Sequence, residues 1–293
     1  MKVVLKLTAC WGVFALSLLA AGLLARSLHL QLIPAGTNLP LLPHLSRMLV
    51  AAAVLTSGLA PLARGLSGPA VTRCAAIALF LFLALGVNTL LDAAIFAHVF
   101  DCVVPGHILS FALQSLFLGA ALGLCFGLPA RTVKLPRLTI RQWVWRAAVA
   151  WIAWPLIYLF FGICVAPIVI PYYQNHSLPG FHIPTPQVIL TMQLVRSLVF
   201  LAATLPLVAL WRGSRRGLWL SLGCAHTVTV ALFGLIAATF LPALMRLAHG
   251  AEMTADAFAY TGLLVLLFAK TETSPETAAV KPKVERMATA TSK

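Results

Sequence analysis

The sequence predicts an all-α protein: a polytopic transmembrane helical bundle of about eight spans with both termini cytoplasmic. Three observations predict it. Hydrophobic residues make up 61% of the chain and charged residues only 10%, whereas soluble domains carry about 25% charged residues. The apolar residues fall in runs near the ~20 residues a helix needs to cross a bilayer. The basic residues gather in alternate connections between those runs, as the positive-inside rule requires.

In chain order the apolar runs are 7–25, 47–63, 75–99, 107–128, 146–168, 187–210, 217–240 and 250–269. The first holds Ala9–Ala25, long enough for an uncleaved span. Leu7-Thr-Ala-Cys10 has the look of a lipoprotein cleavage box, but Lys6 directly precedes it, so no apolar stretch separates charge from cysteine. The second run is the shortest. The third and fifth are long enough to require tilt. Pro155 and Pro167 are expected to kink or end the fifth span, and Pro206 to bend the sixth. The membrane domain is expected over 1–270. Residues 271–293, rich in Thr, Ala, Lys and Glu, are expected to form a disordered cytoplasmic tail. The two four-span halves share no polar pattern, so the sequence gives no sign of an internal repeat.

Orientation follows from the charges. One side holds Lys2 and Lys6, then Arg64 and Arg73, then the cluster from Arg131 to Arg146. It also holds Arg212, Arg215, Arg216 and the basic residues from Lys270 to Lys293. The other side keeps Arg26, Arg47 and Arg246, and Arg196 lies inside a span. This bias places both termini in the cytoplasm of a multi-pass cell-membrane protein, with a bacterial inner membrane expected. Membrane lipids are its expected surroundings. The net charge of +14 follows this topology and forms no basic stripe interleaved with aromatics, so nucleic acid is not an expected partner. The six cysteines show no CxxC spacing, which indicates neither a disulfide framework nor a thiolate metal site. No cofactor and no metal are expected.

Arg196 is the most informative residue. It sits in Thr191-Met-Gln-Leu-Val-Arg-Ser-Leu-Val-Phe200, and a guanidinium at the centre of a bilayer helix costs at least ~2.5–3.5 kcal/mol. It needs a partner, and the chain has only 7 acidic residues. Glu272, Glu276 and Glu285 lie in the tail, which leaves Asp92, Asp101, Glu252 and Asp256. Asn88 and Asp92 are spaced i, i+4 and share a face of the third span. Gln193 and Arg196, spaced i, i+3, share a face of the sixth. The two spans run in opposite directions, which brings these faces to matching depths. The expectation is an Asp92–Arg196 pair completed by Asn88 and Gln193. The plain structural alternative is interhelical glue.

The last span begins Arg246-Leu-Ala-His-Gly-Ala-Glu-Met-Thr-Ala-Asp256. Arg246, His249, Glu252 and Asp256 fall on neighbouring faces of one helix. They are candidates for ligand binding or proton handling, against the alternative of helix-terminus carboxylates and a snorkelling arginine. Neither HExxH nor EExxxR occurs. His226 is expected to be a hydrogen-bonded core group, and His98, Asp101 and His107 to flank a loop on the outer side. Together with Pro171-Tyr-Tyr173, the segments Asn88–Asp92, Gln193–Arg196 and Arg246–Glu252 resemble those of uncharacterised bacterial polytopic membrane proteins, in which Glu stands at position 92. That resemblance implies no reaction.

Three functions fit the sequence: a protein that binds or transports a small anionic or amphiphilic molecule, an intramembrane enzyme acting on lipid or isoprenoid groups, or a structural component without chemistry. Against the enzyme, no DDxxD-type diphosphate motif occurs.

Overall fold

The computed structural model describes residues 2–30, 41–96, 104–128, 138–174, 183–238 and 240–269. Within these the chain forms eight helices long and apolar enough to cross a membrane, so it is an integral, multi-pass membrane protein. They are α1 Lys2–Ser27, α2 Leu41–Gly65, α3 Ala70–Phe96, α4 Val104–Cys125, α5 Ile140–Gln174, α6 Pro186–Leu210, α7 Arg215–Ala237 and α8 Ala243–Phe268. The tail expected over 271–293 lies outside the described residues, as do His98, Asp101 and Cys102.

Most helices outrun their apolar cores. The second, shortest by hydropathy, is a 25-residue helix. The fifth is neither ended nor divided by its prolines: α5 runs 35 residues through Pro155, Pro167 and Pro171. Neighbouring helices and local adjustment can re-satisfy the carbonyls that a membrane proline frees.

Each helix packs on two neighbours, closing a ring in the order α4, α1, α2, α7, α8, α5, α6, α3 and back to α4. Across its middle α3 meets α7. Both central helices carry a π-helical segment, Phe82–Val87 in α3 and Thr227–Leu232 in α7, and these two segments touch.

This ring is an internal repeat, which corrects the sequence expectation. One offset, the 145 residues between Ser67 and Arg212, carries α2 and the first part of α3 onto α6 and α7. The helices Leu41–Gly65 and Pro186–Leu210 both have 25 residues. Ala70–Leu81 and Arg215–His226 both have 12 residues, and both are followed by 6 residues of π-helix. Pro61 and Pro206 occupy equivalent places.

The outer helices repeat as well. The Trp11 indole donates to the Leu49 carbonyl at 3.0 Å, and the Trp151 indole donates to the Leu194 carbonyl at 2.8 Å. Lys6 caps a carbonyl at the end of α4, and Arg146 caps one at the end of α8. The halves meet at a reciprocal bridge. Ser67 N donates to Leu210 O at 2.9 Å, and Arg212 N donates to Gly65 O at 3.0 Å. Four spans separate equivalent helices, so the halves cross in the same sense.

Hydropathy comparison misses this repeat because few identities survive. Val54/Val199, Pro61/Pro206, Leu62/Leu207 and Gly68/Gly213 are among them. Packing geometry is retained instead. In α4, a Cβ at Gly119 would sit 2.6 Å from the Ala78 backbone N, and one at Gly123 would sit 2.6 Å from Cys74 Sγ. In the second half Phe258 lies against Gly223, and Gly262 against Trp219. Small residues let membrane helices approach closely.

The basic residues at this end do more than set orientation. Besides Lys6 and Arg146, Arg73 donates to Gly123 O at 3.0 Å, and Arg215 donates to Leu266 O at 3.1 Å. All four satisfy carbonyls left open at helix C-termini, where a cation is also favoured by the helix dipole.

Candidate functional site

The polar cluster lies where the two halves meet along α3 and α6, and it extends onto α5 and α8. It begins at the end of the α3 π segment, a local widening often found at functional sites. The first residue after it is Asn88, which is buried and donates through Nδ2 to Asp92 Oδ2 at 3.4 Å. Asp92 Oδ1 forms an ion pair with Arg196 Nη2 of α6. The Arg196 side chain is 4% exposed and that of Asp92 33%. One member of the pair is therefore locked in the bundle and the other reaches its edge.

Gln193 stands one turn from Arg196. Its Oε1 accepts from Arg196 Nη1 at 3.5 Å and from the Trp154 indole at 2.9 Å. The four residues Asn88, Asp92, Gln193 and Arg196 are thus brought together as expected from their depths. Arg196 Nε and Asn88 Oδ1 are buried with no hydrogen-bond partner.

α8 supplies the other carboxylates. His249 Nδ1 bonds Glu252 Oε2 at 2.9 Å. Asp256, one turn on, is 2% exposed, and its Oδ1 has no hydrogen-bond partner. Asp256 lies within electrostatic reach of both Glu252 and Arg196. Arg246 does not join: its Nε is buried without a hydrogen-bond partner, and among the described residues it forms no ion pair with the cluster.

A narrow pocket opens between these groups. Its walls include Trp154 and Tyr158 of α5, Arg196 and Phe200 of α6, His226 of α7 and Asp256 of α8. The inner space suits about one water molecule. The site therefore combines a guanidinium, a carboxylate and an aromatic wall.

The sequence reading missed that wall. Tyr158 feels the fields of Arg196, Glu252, Asp92 and Asp256 together, and Trp154 packs edge-on against Phe200 and Tyr260 at 4.7 and 5.1 Å. Gly162 completes the face: a Cβ there would lie 3.4 Å from Glu252 Oε1. The signal was the i, i+4, i+8 spacing of Trp154, Tyr158 and Gly162 on one helix stripe. His226 is the packed core histidine expected. It is buried, its Nε2 lies 2.9 Å from Thr204 Oγ1, and its ring stands edge-on to Phe80 and Phe200. His107 is half-buried in α4, its ring tilted against Phe111 at 6.1 Å between centroids.

The repeat does not duplicate this chemistry. Arg196, Gln193 and His226 have Ala51, Met48 and Leu81 as equivalents. By the matched glycine contacts of α4 and α8, Glu252 and Asp256 correspond to Leu113 and Phe117. The first half contributes Asn88 and Asp92, and the second contributes the rest. Among the described residues no three His, Cys, Asp or Glu side chains converge as a metal would need, and Cys10, Cys74, Cys125, Cys164 and Cys224 are free thiols. The chain matches no protein family, no curated protein and no solved structure.

Proposed function

We propose that this protein binds a small anionic or amphiphilic molecule and carries it across the membrane, with Arg196 as the anchor. The observation that carries this reading is the incomplete satisfaction of Arg196. A guanidinium serving only as glue would be fully hydrogen-bonded in a closed interface. Arg196 instead keeps Nε unpartnered and lines a pocket that also contains the unpartnered Asp256 Oδ1. Its partner Asp92 is a third exposed, so it can yield to an incoming anionic group. The exchange must be one for one, because a buried charge stripped of its partner costs about 3–5 kcal/mol. Trp154, Tyr158 and Phe200 offer the apolar part of an amphiphile a wall.

The architecture supports the same reading. Carriers built from repeats hold their substrates near the bilayer midplane at the repeat interface, and the Asp92–Arg196 pair joins the two halves. In this setting Asn88 orients Asp92, Gln193 steadies the guanidinium, and His249 and Glu252 rim the site.

The test is native mass spectrometry of the protein in mild detergent, wild type beside Arg196→Gln. The carrier reading predicts a discrete extra mass on the wild type that is lost from a folded, monodisperse variant. An adduct equally present on both overturns it. A second reading, an intramembrane acid–base enzyme acting on lipid or isoprenoid groups, draws on the His249–Glu252 hydrogen bond alone. It predicts that the bound molecule is converted over time by the wild type and persists unchanged on His249→Gln.

A further inference from the structure

The charges of the cluster do not balance. Among the described residues one guanidinium faces the three carboxylates Asp92, Glu252 and Asp256. Asp92 is the one paired with Arg196, and Glu252 is held by His249. Asp256 is left. It is 2% exposed, its Oδ1 is buried without a hydrogen-bond partner, and it stands one helical turn from Glu252. A buried carboxylate beside a second carboxylate needs a compensating cation.

The surroundings of Asp256 decide which cation. A metal ion needs a shell of about six oxygens. Besides Asp256 the pocket is walled by apolar side chains, by Tyr158 and His226 and by the Arg196 cation, which repels a metal ion, and α8 is unbroken helix here, so its carbonyls are committed. That is too few oxygens for a metal shell, and it leaves the unpartnered Asp256 Oδ1 as the seat. We infer that Asp256 takes up a proton and is the coupling acid of this site.

The step is a simple one. A proton from the aqueous side adds to Asp256 Oδ1, forming an O–H bond, and leaves again to restore the carboxylate. The charged and titratable groups facing Asp256 are Glu252 on its own helix, Arg196 of α6, Tyr158 of α5 and His226 of α7. The Arg196 charge attracts the carboxylate and the Glu252 charge repels it. An anion that binds at Arg196 adds a negative charge to the cluster and therefore tightens the proton on Asp256, and by linkage the proton tightens the anion. The sign is that of co-transport of an anion with a proton. The coupling rests on the carrier reading above, whereas the proton on Asp256 does not.

Infrared difference spectroscopy in lipid nanodiscs, stepped from acid to alkaline buffer, tests the proton directly. The wild type should show a protonated carboxyl stretch at neutral pH that Asp256→Asn lacks. In Glu252→Gln the stretch should vanish at lower pH, with proton affinity down by about tenfold. In Arg196→Gln it should persist to higher pH. The inference is overturned if the wild type shows no such stretch, if Asp256→Asn retains it, or if Glu252→Gln leaves its pH dependence unmoved. Glu252→Gln keeps the test decisive should Arg196→Gln fail to fold. A negative result here together with an Arg196-dependent adduct would sink the proton and leave the anchor standing.

Discussion

Asp92→Ala should destabilise the bundle out of proportion to the size of the change, because it strands the Arg196 charge. Removing one member of a buried ion pair costs about 3–5 kcal/mol. Arg196 is 4% exposed and qualifies fully, but Asp92 is 33% exposed. Solvent screens the pair in part, and the expected loss is roughly 2–3 kcal/mol. Arg196→Met should cost less, about 1 kcal/mol, since a third-exposed Asp92 can recover hydration. The double variant leaves no stranded charge and should sit within about 1 kcal/mol of the wild type. The assay is reversible unfolding in mixed micelles, followed by loss of helical circular dichroism, on all four proteins. The predicted coupling is about 2–4 kcal/mol. If the two single losses instead add within about 0.5 kcal/mol, Asp92 and Arg196 do not act as a pair, and the reasoning from burial fails.

Other consequences follow from the repeat and its packing. Trp11→Phe and Trp151→Phe each delete an equivalent indole-to-carbonyl bond, at 3.0 and 2.8 Å, and should cost the same, about 0.6 kcal/mol, in the same unfolding assay. Gly119→Leu drives a side chain into the Ala78 backbone, 2.6 Å from the first added carbon, and should cost at least 1–3 kcal/mol on the general scale of overpacking, about 3 being expected. Gly12→Leu, with nothing within 4 Å of its Cβ, should be neutral in that measurement. A chain severed between α4 and α5 should reassemble from co-expressed halves, because the α2–α7, α3–α6 and α3–α7 contacts hold the halves together. Co-purification through a tag on one half reports it.

Much of this molecule could be seen in its residues, for reasons that are local. Apolar runs dictate helices in a bilayer, since every backbone group must bond within its own segment. The Asp92–Arg196 pair followed from scarcity: a charge in hydrocarbon needs a partner, and few acids exist. His249 and Glu252 met because i, i+3 side chains share a face. The features that stayed hidden are relational. Nothing in Phe82–Val87 or Thr227–Leu232 announces a π segment, and the two are seen to touch only once α3 and α7 are packed. Tyr158 and Trp154 resemble lipid-facing aromatics until α6 and α8 close around them. The repeat was masked by placing nearly all site chemistry in one half, where Arg196 and His226 stand opposite Ala51 and Leu81.

In the proposed carrier Arg196 is shared between Asp92 and a ligand. Native mass spectrometry of Asp92→Asn tests that most directly. An uncharged residue at 92 is a weaker competitor for the guanidinium, so the variant should carry more of the wild-type adduct, while Arg196→Gln carries none. If Asp92→Asn instead loses the adduct while staying folded, Asp92 does not compete for Arg196, and the exchange at the centre of this account is wrong.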